Sequence, residues 1–428
     1  MALSEIEKTD VEGPLRPREL AGALGPGVVA GAADDDPSGI ATYSIAGAQF
    51  GFGFLWTACL TWPLMAAVQN MCARVGMVTG RGLIGNLRER FPRSILLGFV
   101  AMLFIANTIN VGADLAAMAD AAETFSSVNS HLWVIAFGAG IAWATVRFRY
   151  GQIAGVLKWL AVVLFTYVIA GIQLKPDWHR VARAALWPTM PRGREAWATL
   201  VAILGTTISP YLFFWQASQE VEEERSAGKL TVASRQGATS REILKRKFDV
   251  GVGTFFSNLV MFFVILTCAL TLNAHGETHI GSTREAADAL RPIAGNMAAV
   301  LYSVGILGVG LLAIPTLTGS AAYALAEMFG WKEGLDHHLR DAPAFYAVVI
   351  VSTAAGVGMD FLDLQPVHTL YWAAVLNGLL APFLLTGVLV IASDRRLMLG
   401  QPSSRLGWWA VLVTTVLMAA AGAAMFLL

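Results

Sequence analysis

The sequence predicts an all-α membrane protein of about eleven transmembrane helices, two of them broken, and three observations carry that prediction. Of 428 residues, 56 % are hydrophobic and 14 % charged, with a mean hydropathy of +0.58, whereas an ordinary soluble domain carries about 25 % charged residues. Apolar windows long enough to cross ~30 Å of hydrocarbon recur along the chain. Two of those windows are interrupted by polar, helix-breaking residues, at Asp34-Asp35-Asp36-Pro37-Ser38-Gly39 and at Gly205-Thr206-Thr207-Ile208-Ser209-Pro210-Tyr211.

The windows fall at 20–50, 52–75, 95–122, 131–146, 153–173, 195–219, 249–273, 296–327, 344–361, 367–392 and 406–427. They divide the chain into a tail (1–19), a first set of five helices (20–173), a loop (174–194), a second set of five (195–392) and an eleventh helix (405–428). The tail is polar and holds Pro14 and Pro17, so no cleavable leader is expected and the first helix serves as its own insertion signal. Cys59, Cys72 and Cys268 lie in apolar stretches without metal-ligand spacing and read as packing residues.

Basic residues set the orientation. With the tail on the cytoplasmic side of a bacterial inner membrane, only Lys175, Arg180, Arg183, Arg192, Arg194, Arg284 and Arg291 of the 30 Lys and Arg fall outside. The loop 174–194 runs against the rule. Lys158 is close enough to a helix end to snorkel, so the membrane interior carries acidic residues only. The net charge is zero, and nothing points to nucleic acid.

The first break is the most informative segment. Carboxylates at membrane depth are costly and mark function. Pro37 lacks an N–H and Gly39 resists helical order, so unwinding is expected there, with carbonyls freed. Such backbone persists only where it faces protein or a watery cavity. Carboxylate and carbonyl oxygens are what a hard divalent cation coordinates. Asp36 is the first candidate ligand, its alternative being a capping aspartate that only holds the break. Asp35 and Asp34 either face a vestibule or cap a half helix.

Pro210 interrupts the sixth window and disfavours helix at Ser209. Breaks in helices one and six, five helices apart, are the mark of an inverted repeat with its substrate at the midplane. Thr206 and Ser209 are therefore candidate ligands, unless Pro210 merely needs small neighbours. Asn377, ahead of Pro382 in the tenth window, could complete the site on closure. Asp114 shares a polar face of helix three with Asn107, Asn110 and Asp120, serving either a supporting network or permeation. The run from Glu220 to Lys247 reads as a solvated, partly disordered cytoplasmic loop.

These residues resemble a known family. Gly25-Pro26-Gly27, then Asp36 to Thr42, Ala46-Gly47-Ala48 and Phe50-Gly51 are similar to the first-helix pattern of the NRAMP divalent-metal transporters, in which GPG precedes DPGN-x-AT and AGA-x-FG. Arg74 to Gly80, Leu204 to Pro210 (against LGATVMPH) and Thr316 to Gly319 extend the likeness through helix ten. The resemblance implies a LeuT-like fold of two inverted five-helix repeats plus an eleventh helix, moving divalent cations.

The departures bear on which ion. In the family, the Asp and Asn of DPGN, the Met of MPH and a helix-six carbonyl hold the metal. The resemblance maps these onto Asp36, Gly39, Ser209 and Thr206. Loss of the thioether removes the ligand that favours transition metals, and Gly39 with Ser209 is expected to enlarge the cavity. Mg²⁺ keeps several waters when bound, so a larger, harder site suits hydrated Mg²⁺, with Mn²⁺ second. The family's proton relay is thinned: Asp114 is followed by Ala117 rather than Glu, Tyr211 and Gln216 stand at the histidine positions, and helix nine lacks arginines. Uncoupled, potential-driven entry is expected, a pattern similar to the prokaryotic NRAMP-related magnesium transporters. The rivals are a proton-coupled Mn²⁺/Fe²⁺ importer, an organic-solute carrier on the same scaffold, since fold does not fix substrate, and a non-transporting sensor. No nucleotide loop, nucleophile constellation or redox site suggests an enzyme, and no cofactor is expected beyond the transported cation.

Overall fold

Each of the eleven windows holds helix in the computed structural model, which describes residue 19 and residues 24–126, 128–148, 162–281, 283–291, 295–362 and 365–427. The tail up to residue 18, Lys158 and the first half of the fifth window lie outside the described residues. The first span is α1 (Pro26–Asp34) and α2 (Pro37–Phe50), followed by α3 (Leu55–Thr79), the short α4 (Leu83–Leu87), α5 (Arg93–Glu123), α6 (Ser130–Arg147) and α7 (Phe165–Gln173). A connecting helix α8 (Trp178–Leu186) leads into the broken sixth span, α9 (Arg194–Thr207) and α10 (Pro210–Ser226). The remainder is α11 (Val232–Arg235), α12 (Ser240–Leu270), α13 (Thr283–Asp288), α14 (Ala298–Phe329), α15 (Pro343–Asp360), α16 (Pro366–Ser393) and α17 (Arg405–Leu427). Among the described residues there is no strand, and eight helical segments are long and apolar enough to cross a membrane.

The two broken spans are packed in a reciprocal pattern. Span one lies against α12 so closely that a Cβ on Gly31 would stand 2.4 Å from the Gly253 carbonyl. Span six meets α3 in the same way, a Cβ on Gly76 standing 2.4 Å from the Ala217 carbonyl. Helix one on seven and helix six on two are the same contact in two related halves, as an inverted repeat requires. Lipid tails give no hydrophobic drive between helices, so backbone contact at small residues does the packing.

The segment after span six differs from its expectation. Helix α10 runs to Ser226 and α12 begins at Ser240, capped by Thr239 and Glu242 in a reciprocal box. The connection between them is ordered around Arg235, which is 4 % exposed. Its guanidinium donates to the Gly80, Lys229 and Leu230 carbonyls, and the Gly237 N–H donates to the Val78 carbonyl at 2.9 Å. Polar composition read as loose chain because the contacts that dock it on α3, to the Gly80 and Val78 carbonyls, come from more than 150 residues away in sequence.

Candidate cation site at the paired helix breaks

Both interruptions have the same local build. α1 ends at Asp34, Asp35 leaves the helix at φ −80°, ψ 43°, Asp36 is extended at φ −63°, ψ 170°, and α2 starts on Pro37. In the sixth span Ile208 leaves α9 at φ −120°, ψ 58°, Ser209 is extended at φ −75°, ψ 133°, and α10 starts on Pro210. Proline suits a first helical position, because an N–H there has no intrahelical acceptor to lose. Unwinding therefore ends before Pro37 and does not include it: Pro37, Ser38 and Gly39 form the first turn of α2.

Asp36 caps that turn. Its Oδ1 accepts from the Gly39 N–H at 2.8 Å and Ser38 Oγ at 2.6 Å, while Oδ2 accepts from Asn110 Nδ2 at 3.1 Å. Asn110 Nδ2 also reaches Asp114 Oδ2 at 3.4 Å, so helix three brings an amide and a second acid to the break. Ser257 of α12 shares its hydroxyl between Asp34 Oδ2 (2.7 Å) and Asp35 Oδ1 (3.2 Å). No local signal marks Ser257 in the sequence, and it was missed there.

Asp34, Asp35 and Asp36 are 0 %, 4 % and 2 % exposed, and none forms an ion pair among the described residues. Their partners are neutral hydroxyls, one amide and one backbone N–H. Buried charge of a single sign persists only when protons or a cation reach it. Oδ1 of Asp34, Asn110, Asp114 and Asn377 is in each case buried without a hydrogen-bond donor among the described residues. Oxygen acceptors therefore line the centre with capacity to spare. Among the described residues no group of three or more His, Cys, Asp or Glu is arranged as a closed chelating site.

The sixth span contributes carbonyls. Ser209 Oγ donates to the Gly205 and Thr206 carbonyls, both at 2.7 Å, so the hydroxyl at the family's methionine position steadies the carbonyl expected as a ligand. Tyr211 Oη donates to the Ala33 carbonyl at 2.9 Å, joining the two broken spans. The room expected at Gly39 is absent: a Cβ there would stand 3.1 Å from Thr206 Oγ1, 3.3 Å from the Asp34 carbonyl and 3.4 Å from the Tyr43 ring. Close approach of α2 to α9, rather than an enlarged cavity, occupies that position. Asn377 is 1 % exposed and adjoins the crossing of α9 and α16, where a Cβ on Gly205 would stand 2.3 Å from Gly378 N.

Gln216 is drawn away from the break. Its Nε2 donates to Glu220 Oε1 at 2.7 Å, and Glu220 pairs with Arg246 Nε at 2.7 Å. Arg246 also binds Asp249 at 2.5 Å and Glu223. Asp249 accepts the N–H groups of Gly25 (2.8 Å), Gly27 (2.7 Å) and Val28 (3.1 Å), capping α1 from α12. The sequence placed Asp249 at the edge of a span. Because α12 begins nine residues earlier, at Ser240, Arg246 and Asp249 are helical, and their cluster ties α10 and α12 to the start of α1.

Paired breaks in spans one and six, packed reciprocally on α12 and α3 around an acidic centre without ion pairs among the described residues, define a membrane transporter of the LeuT-like class. The family model described as natural resistance-associated macrophage protein-like matches residues 27–428. The chain belongs to the NRAMP family of metal transporters and is not an enzyme. It is 28 % identical over 318 residues to the divalent metal cation transporter MntH of Yersinia pestis (strain Pestoides F), covering 72 % of this chain and 73 % of that protein. It is 24 % identical over 409 residues to MntH of Klebsiella pneumoniae, covering 92 % of each. In fold it is similar to the Eremococcus coleocola manganese transporter, with a TM-score of 0.74 at 18 % identity over 97 % of this chain and 90 % of that one. It is similar also to MhsT, with a TM-score of 0.51 at 14 % identity over 94 % and 97 %.

Proposed function

We propose that this chain imports a divalent cation by alternating access, with hydrated Mg²⁺ the leading substrate and Mn²⁺ the second, driven by membrane potential without strong proton coupling. The carrying observation is the donor set. Asp34, Asp35, Asp36, Asn110, Asp114, Asn377 and the carbonyls of span six offer oxygen alone, with Ser209 where a thioether would select softer metals. The tail is assigned to the cytoplasm of a bacterial inner membrane by the distribution of Lys and Arg, and repeats at 20–173 and 195–392 rock against each other around the breaks.

A second reading, a proton-coupled Mn²⁺/Fe²⁺ importer, is favoured by two observations. Relatives are described as divalent metal or manganese transporters, and the filled space at Gly39 gives a hydrated ion no extra room there. Isothermal calorimetry on the purified chain with Mg²⁺, Mn²⁺ and amino acids tests the substrate class. Heat from both cations and none from amino acids is the expected result, and binding of an amino acid alone would place the chain among organic-solute carriers.

A further inference from the structure

The loop between the two repeats carries a surface away from the helix breaks. Helix α8 (Trp178–Leu186, WHRVARAAL) is amphipathic and held at its start by Asp177, whose Oδ1 accepts from the His179 and Arg180 N–H groups. It packs over the turn Gly51–Phe54 that joins the first two spans, with Arg180 stacked 4.9 Å from the centroid of the Phe52 ring. Between α8, that turn and the end of α12 lies a cavity of about 1060 Å³, lined among others by Phe50, Phe52, Arg180, Arg183, Trp187 and Asn273. Neither Arg180 nor Arg183 forms an ion pair among the described residues.

Large apolar side chains stand exposed beside these charges: Trp178 at 48 %, Leu186 at 76 % and Trp187 at 72 %. Guanidinium groups without carboxylate partners beside exposed aromatic and aliphatic groups at a helix end match a headgroup boundary, where tryptophan anchors and arginine meets phosphate. Two guanidinium groups without carboxylate partners favour an occupant of net negative charge over a zwitterionic or purely apolar one. The excess of basic residues in 174–194 against the positive-inside pattern then has a physical reason.

We propose that this cavity binds an anionic phospholipid of the outer leaflet, its phosphate on Arg180 and Arg183 and its acyl chains against Phe50, Phe52 and Trp187. The site stands apart from the helix breaks and does not depend on which cation is carried. The test uses the full chain purified in detergent and exposed to an equimolar mixture of phosphatidylglycerol and phosphatidylcholine of matched acyl chains, with retained lipid counted by native mass spectrometry. The wild type retains phosphatidylglycerol with about tenfold enrichment, Arg180→Gln with Arg183→Gln brings the ratio to that of the mixture, and Arg180→Lys with Arg183→Lys keeps the enrichment. Absence of enrichment in the wild type, an unchanged ratio in the glutamine variant, or equal loss in the lysine and glutamine variants would overturn the proposal.

Discussion

Tyr211 Oη lies 2.9 Å from the Ala33 carbonyl, so the second half of span six holds the last turn of the first half of span one. A tyrosine that spends its one proton on a freed carbonyl fixes the distance between the two breaks. Tyr211→Phe leaves that carbonyl buried without this donor, a loss of about 1–2 kcal/mol. The expected outcome is a lower unfolding temperature in detergent and slower flux at unchanged cation selectivity. A variant with wild-type melting and flux would show that the contact does not matter.

Asp36 is both the cap of α2 and the acid nearest Asn110, and two substitutions separate those roles. Asparagine caps a helix about as well as aspartate, whereas alanine costs about 1 kcal/mol. Asp36→Asn is expected to fold and melt as the wild type yet lose more than about tenfold in cation affinity, equivalent to ~1.4 kcal/mol of binding, and to lose flux with it. Flux preserved in Asp36→Asn would move the ligand role to Asp34 or Asp35.

Selectivity is predicted to follow Ser209. Ser209→Met places a thioether at the break and removes the donor to the Gly205 and Thr206 carbonyls, so Cd²⁺ and Mn²⁺ should compete better against Mg²⁺ in uptake. Gly39→Asn alone is expected to lower the melting temperature, because its Cβ meets Thr206 Oγ1 at 3.1 Å and the Asp34 carbonyl at 3.3 Å. Thr206→Ala relieves the first of these contacts, so the double variant should melt above Gly39→Asn and add to the shift. Equal competition curves for wild type and Ser209→Met would place selectivity outside the breaks.

Arg246 holds Glu220 and Asp249 together, side chains that are 2 % and 0 % exposed. Arg246→Gln leaves both carboxylates without their cation, and breaking a buried pair in this way costs about 3 kcal/mol or more. Because Asp249 also caps α1, this variant should melt earlier and admit thiol reagents to the native Cys72, which is buried in the wild type. Unchanged melting together with unchanged labelling would contradict the tying role given to this cluster.

The broken spans were legible because Asp36-Pro37 and Ser209-Pro210 are strong local signals inside apolar windows. Their extent was not, since a proline reads as a breaker whether it sits within the gap or opens the next helix. Gly39 suggested space, but space depends on which helix crosses above it, and Thr206 fills it. Ser257 and Asp249 belong to the site's surroundings through contacts spanning more than 200 residues of sequence. A serine in an apolar helix gives no local hint of such a partner.

Ion competition in proteoliposomes, with Mg²⁺ and Mn²⁺ entry and internal pH followed together under an imposed potential, tests the central claim most directly. Mg²⁺ entry that Mn²⁺ slows, with internal pH constant, is the predicted result. Mn²⁺ entry accompanied by internal acidification, with no Mg²⁺ flux, would contradict it and establish the proton-coupled reading.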